Sequence, residues 1–269
     1  MKKVFALALV AFSPLALAEE PAPTHIDLGS LPEQTRMIDE VVVPVPSEIF
    51  AVLDKLGKPR WEDVLRPVNG TKAVGDQAQI ALQLGTVIAE GFIAVEAENV
   101  EEVKNIGKKV LTLSEAINVR KAVLKRSKSI TDFAGKKEWS AVRKELDGAL
   151  SDVKAAMLEL KSEQMSQLVS LGGWLRGTEA LTAVVSRTYS KDGAELLHQP
   201  VLLDYFERQL ANMRPRTKSN PLVTKVQKGL LEIRPLVGLH DGSEISEKSV
   251  KEIGAHVEAL VKSIGAKPQ

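Results

Sequence analysis

The stretch DQAQIALQLGTVIAEGFIAVEAE, residues 76–98, decides the fold. Ile80, Leu84, Ile88, Gly91 and Val95 recur at helical spacing. Between Ala78 and Ala97 most residues are apolar or small, so this helix belongs at the centre of its domain. Its polar members Gln79, Gln83, Thr86 and Glu90 fall on one stripe by the i, i+3, i+4 rule. Two readings of that stripe stand. It is the helix's narrow wet face, or it lines an internal cavity in which Glu90 serves as ligand or proton acceptor. A buried Glu90 would need a cation beside it to stay ionised.

Outward from this helix the pattern stays helical. Helices are expected over residues 76–98, 100–117, 120–133, 137–160, 163–189, 200–213, 221–237 and 247–264. Asn118 and Gly135 mark breaks. Ser162-Glu163, Asn220-Pro221 and Ser246-Glu247 carry helix-start chemistry. Connections this short favour antiparallel neighbours. The class is therefore all-α: a single-domain antiparallel multi-helix bundle over residues 76–269. No repeat period argues for a solenoid.

Upstream, Val41-Val42-Val43-Pro44-Val45-Pro46 cannot be a central strand, because two prolines lack donors. Residues 41–75 read as an extended strap plus short helices packed on the bundle. One such helix begins at Ser47. Another holds Trp61, Val64 and Leu65 and stops at Pro67. Residues 19–40 are polar and Pro-bearing and read as a flexible leader. Residues 1–18 have a Lys2-Lys3 start, an apolar run and Ala16-Leu17-Ala18 before Glu19. That is the pattern of a secretory signal peptide cleaved after Ala18. A periplasmic or secreted bacterial protein is expected. No later segment reads as a membrane span.

Composition narrows the function classes. The chain has 269 residues, 44% hydrophobic and 26% charged, with 36 basic and 35 acidic side chains. These values exclude global disorder. The near-neutral balance, with aromatics at only 4%, argues against a nucleic-acid binder. With no cysteine, thiolate catalysis, Cys-ligated zinc and disulfides are all excluded. No cofactor is implied, and none of the common nucleophile, zinc-protease or phosphate-loop motifs is present.

Three further patterns merit attention. Gly172, Gly173 and Gly177 lie inside the 163–189 helix. Each costs about 1 kcal/mol relative to Ala there, so packing should offset it. Gly173 and Gly177 share a four-residue spacing with Gly85 and Ala89, and a close crossing of these two seams is expected. A kink at Gly172-Gly173 or a ligand cleft are the alternatives. Such a cleft would be lined by Gln83, Glu90, Trp174, Arg176 and Glu179. Were Glu90 and Arg176 to meet across the seam, they would form a buried pair.

Glu195-x-x-His198 has the spacing of a helical metal-ligand pair. Glu90, Glu179, Glu195 and His198 are thus the alternative metal set. Finally, Arg120, Lys121, Lys125, Arg126 and Lys128 form a basic cluster. It suits docking to an anionic surface, or is a solvated helix face. A binding or interaction role, toward an envelope protein or a small ligand, is favoured over catalysis. A helical-bundle metal-binding protein or metalloenzyme is the alternative.

Overall fold

A computed structural model describes residues 59–68, 72–237 and 244–267. The expected signal peptide, leader and Ser47 helix, and the strap up to residue 58, lie outside the described residues. Every extended element among the described residues is helical. In chain order they are α1 (Gln77–Glu96), α2 (Val100–Ala116), α3 (Arg120–Gly135), α4 (Trp139–Glu159) and α5 (Glu163–Arg187). Then follow α6 (Lys191–Glu195), α7 (Pro200–Ala211), α8 (Pro215–Lys218), α9 (Pro221–Val237) and α10 (Glu247–Gly265). The all-α expectation holds. The short helices α6 and α8 were not legible in the periodicity, since five- and four-residue elements carry too few positions to show it. Trp61–Asp63 forms a single 3₁₀ turn instead of a short α-helix.

The first four helix-to-helix connections share one design. At each, a residue in left-handed conformation follows the helix: Glu98, Asn118, Lys137 and Lys161, with φ of 50°, 64°, 58° and 51°. At the first, Asn99 N–H donates to the Ala94 carbonyl and Glu98 N–H to that of Val95. The same paired bonds close the turns at Val119/Asn118, Glu138/Lys137 and Ser162/Lys161. This is the Schellman geometry, which satisfies the orphan carbonyls at a helix end. The chain turns back within three residues, so α1 to α5 run up and down. Gly135 is not the left-handed residue of its turn; Lys137 is.

Capping fixes the starts. Asp76 accepts from Gln79 N–H at 2.9 Å, Asn99 from Glu102 N–H at 3.0 Å and Ser246 from Ser249 N–H at 3.1 Å. Ser162 precedes α5 as expected, but its hydroxyl donates to the Leu160 carbonyl and makes no cap bond.

The core is built on α1, which packs most extensively against α5 and then against α2. Leu82, Leu84, Leu168, Leu171 and Leu175 are fully buried along the α1–α5 contact. Each contributes about 1.5–3 kcal/mol of transfer free energy. α10 packs against α5 and α9 and touches α1, with Val250, Ile253, Val257 and Ile264 inward at helical spacing. A second apolar cluster holds Phe92, Val95, Val103, Ile106 and Val142, where the end of α1 meets α2 to α4. By length and composition α1 could cross a bilayer, but it is mostly buried within the bundle.

Candidate functional site

Glycine sets how closely α1 and α5 approach. A Cβ placed on Gly85 would lie 1.9 Å from the Val169 carbonyl oxygen and 2.7 Å from Gly173 N. One placed on Gly172 would lie 2.1 Å from the Leu82 carbonyl oxygen. The backbones touch, so no side chain fits between them. The crossing is centred on Gly85, Gly172 and Gly173. Gly177 does not belong to it: a Cβ there would meet nothing within 4 Å. Ala89 is half-buried, one turn further along α1. α5 runs unbroken from Glu163 to Arg187, so Gly172-Gly173 is not a helix break. At Gly85 and Gly172 the touching backbones leave no room for a ligand.

Beyond the crossing the two helices bring charge together. Arg176 is 2% exposed and Glu90 is 3% exposed. Arg176 Nε donates to Glu90 Oε2 at 2.6 Å, and Nη2 donates to the Val64 carbonyl at 2.6 Å. Glu90 Oε1 accepts the backbone N–H of Arg66. Glu179, also buried, lies 3.4 Å from Arg176 Nη1 and 2.6 Å from Arg66 Nη2. Arg66 is half-exposed and reaches Glu258 on α10 at 3.8 Å. Arg176 and the two carboxylates thus neutralise one another in a dry setting, where a lone charge would be prohibitive, and Arg66 adds a second cation from the half-exposed rim.

The two carboxylates are not equivalent. Glu90 receives aligned N–H donors on both oxygens. Glu179 is met off-axis: Arg66 Nη2 stands 2.6 Å from Oε1, yet neither oxygen receives an aligned hydrogen bond. Burial pushes its pKa above the usual carboxylate value, against the opposing pull of Arg176 and Arg66.

The structure separates the five residues expected to line one cleft. Glu90, Arg176 and Glu179 meet. Gln83 does not join them. Its Nε2 donates to the Ile264 carbonyl at 2.9 Å and to that of Val74 at 3.3 Å. Gln79 donates to Ile264 and Ala266 carbonyls at 3.0 and 2.6 Å. These two amides cap the carboxyl end of α10. Three members of the polar stripe of α1, Gln79, Gln83 and Glu90, are buried fastening groups, while Thr86 is half-buried and donates back to the Gln83 carbonyl of its own helix. Trp174 stands away from Arg176 on α5. Its Nε1 donates to Gln199 Oε1 at 2.8 Å and its ring packs on Phe206 with centroids 5.6 Å apart. Two residues along a helix turn the side chain by about 200°, which explains the separation.

The alternative metal set does not assemble. Glu90 and Glu179 are engaged by arginines. α6 ends at Glu195, and His198 lies in the turn beyond, its N–H donating to the Glu195 carbonyl at 2.9 Å. The pair is therefore not on one helical face. Among the described residues no group of three or more His, Asp or Glu side chains is placed to hold a metal ion.

The basic cluster divides as well. Arg120 pairs with Glu115 at 3.0 Å. Arg126 crosses to α4, reaching Asp152 at 2.7 Å and Glu145 at 3.5 Å. Lys121, Lys125 and Lys128 stay exposed with Leu124 between them, without an ion-pair partner among the described residues. Sequence reasoning missed Arg66. It lies in a segment without periodicity, and nothing local marks it as the partner of two buried acids.

The class defined by this architecture is an all-α bundle with a buried Glu90–Arg176–Glu179 cluster covered by residues 61–66. Compared with protein families, curated proteins and solved structures, the chain finds no match.

Proposed function

We propose that this chain is an exported protein of the bacterial cell envelope, cleaved after Ala18, whose work is binding or structural interaction and not catalysis. One observation carries the second half of that reading. The side chains with the chemistry for an active site, Glu90, Arg176 and Glu179, are engaged with one another and with Arg66 beneath residues 61–66. A general acid or base must reach a substrate proton, and these groups reach only their partners. The first half rests on residues 1–18 and on a mature chain near charge neutrality without cysteine. The test is to express the full-length chain in a bacterium, fractionate the cells, and combine native mass spectrometry with elemental analysis. A periplasmic product lacking residues 1–18 is expected. An uncleaved cytoplasmic product overturns the export reading. A stoichiometric transition metal overturns the interaction reading in favour of a metalloprotein.

A second reading concerns where such an interaction occurs. Lys121, Lys125 and Lys128 share one face of α3 with Leu124, which is 50% exposed. Their lack of ion-pair partners among the described residues supports docking of this face on an anionic surface. Binding to anionic vesicles that fails in high salt, and fails when the three lysines become glutamine, is the expected result.

A further inference from the structure

Residues 59–68 make a compact set of contacts on the main helical body. In one 3₁₀ turn, Trp61 and Val64 come three residues apart and insert together, 5% and 8% exposed, against Ile93 of α1 and Ala180 of α5. The backbone is read next to them. Arg176 donates to the Val64 carbonyl, and the N–H of Arg66 donates to Glu90. The Arg66 guanidinium then spans Glu179 and Glu258. An aromatic anchor, an aliphatic anchor, two main-chain bonds and one cation on an acid pair are the parts of a short peptide bound in a groove.

The fit is incomplete at one atom group. Glu179 is 5% exposed, yet neither of its oxygens has an aligned donor. The great majority of buried polar atoms are satisfied, since each orphan costs free energy. Here the carboxylate faces a guanidinium that is itself half in water and bonds it off-axis. The unfilled bonding capacity is that of an acceptor for a better-aligned guanidinium.

We propose that the surface of α1 and α5 around Glu90, Arg176 and Glu179 is a peptide-binding site, filled in this chain by its own residues 61–66. The site takes a segment with an aromatic residue, an aliphatic residue three positions on and an arginine two positions after that. The internal segment is an exchangeable occupant, and a partner protein presenting the same pattern displaces it. The inference holds wherever the chain resides, so it stands or falls separately from the export reading.

The test uses the full-length chain and a fluorescent peptide with the sequence of residues 59–68. Trp61→Ala loosens the internal segment. The Trp61→Ala chain is expected to bind the peptide saturably and at least about tenfold more tightly than the wild type, whose own segment competes. The same peptide carrying Arg66→Glu is expected to bind at least about tenfold more weakly. Absence of saturable binding to a Trp61→Ala chain with unchanged helical circular dichroism overturns the proposal. Equal binding of the two peptides also overturns it. A second measurement avoids the variant altogether. Native-state hydrogen exchange of the wild type should show the Arg66 amide at least about hundredfold less protected than the amides of Leu82 and Leu84 in α1. Equal protection would make residues 61–66 part of the global core and overturn the proposal.

Discussion

The α1–α5 crossing and the α3–α4 hairpin are each joined by a glycine and an arginine, to opposite effect. At the crossing, Gly85 and Gly172 admit backbone against backbone, and Arg176 is sealed in with Glu90. In the hairpin, a Cβ on Gly148 would lie 2.3 Å from the Arg126 guanidinium, so this glycine admits a side-chain tip. Arg126 is about a quarter exposed, as are its partners Glu145 and Asp152. The difference teaches that a glycine or an arginine in a helix has no fixed worth. What it contacts and how dry the contact is decide the energy.

The sharpest way to break the comparison is to truncate both arginines. Arg176→Ala leaves Glu90 and Glu179 buried without their shared cation. A loss of about 3–5 kcal/mol is expected, enough to unfold a marginal domain. Arg126→Ala should cost less than about 1 kcal/mol, since water already reaches its partly exposed partners and takes over from it. Urea unfolding of the two variants measures both, and similar losses would deny the crossing its special status.

The glycines come next. Gly85→Ala forces a methyl group against the Val169 carbonyl, which cannot move without its helix. A cost near 3 kcal/mol is expected. In Gly148→Ala the obstacle is a flexible guanidinium, which swings into water. The gain in helix propensity, about 1 kcal/mol, offsets the lost ion pair and leaves stability almost unchanged. Gly177→Ala meets open space and should stabilise by a similar amount. Thermal melts of the three variants give the ranking.

A smaller effect separates the two carboxylates of the buried cluster. Burial raises the pKa of Glu179 above the ordinary carboxylate value of 4.5. The folded chain therefore binds this proton at a pH where the unfolded chain has released it. Stability from this group is complete below the unfolded pKa and is lost as pH rises through the folded one. The unfolding free energy of wild type minus that of Glu179→Gln should grow as pH falls toward 4.5 and flatten below it. A difference independent of pH would mean that Glu179 is not under strain from burial.

How much of this was legible follows from what each feature depends on. Helix positions depend on periodicity and caps, which are local, so the eight long helices fall close to where spacing places them. The crossing was legible through its cost: three glycines in one helix ask for a close neighbour. The registry was not, because Gly172 and Gly177 look alike until the partner's backbone is set against them. The site was half-legible for the same reason. Glu90, Arg176 and Glu179 stood out as charges on apolar helices. Gln83 and Trp174 were grouped with them by sequence spacing, whereas Gln83 caps α10 and Trp174 packs on α7. Arg66 is 110 residues from Arg176, and no local signal spans that distance.

The least effect expected lies in the turns, where both regions share one device. The connection from α3 to α4 places Lys137 at φ 58°, a conformation that crowds a Cβ against its own carbonyl. Asn118 holds the same conformation at φ 64°, but asparagine tolerates it better. Lys137→Gly should relieve about 1 kcal/mol of strain, less what glycine's extra freedom returns to the unfolded chain. Asn118→Gly should gain less. A net gain of a few tenths of a kcal/mol at Lys137, read as a higher urea midpoint at constant slope, is the expected outcome. A loss would mean that the Lys137 side chain makes a contact worth more than the strain, and that the turns are not interchangeable units.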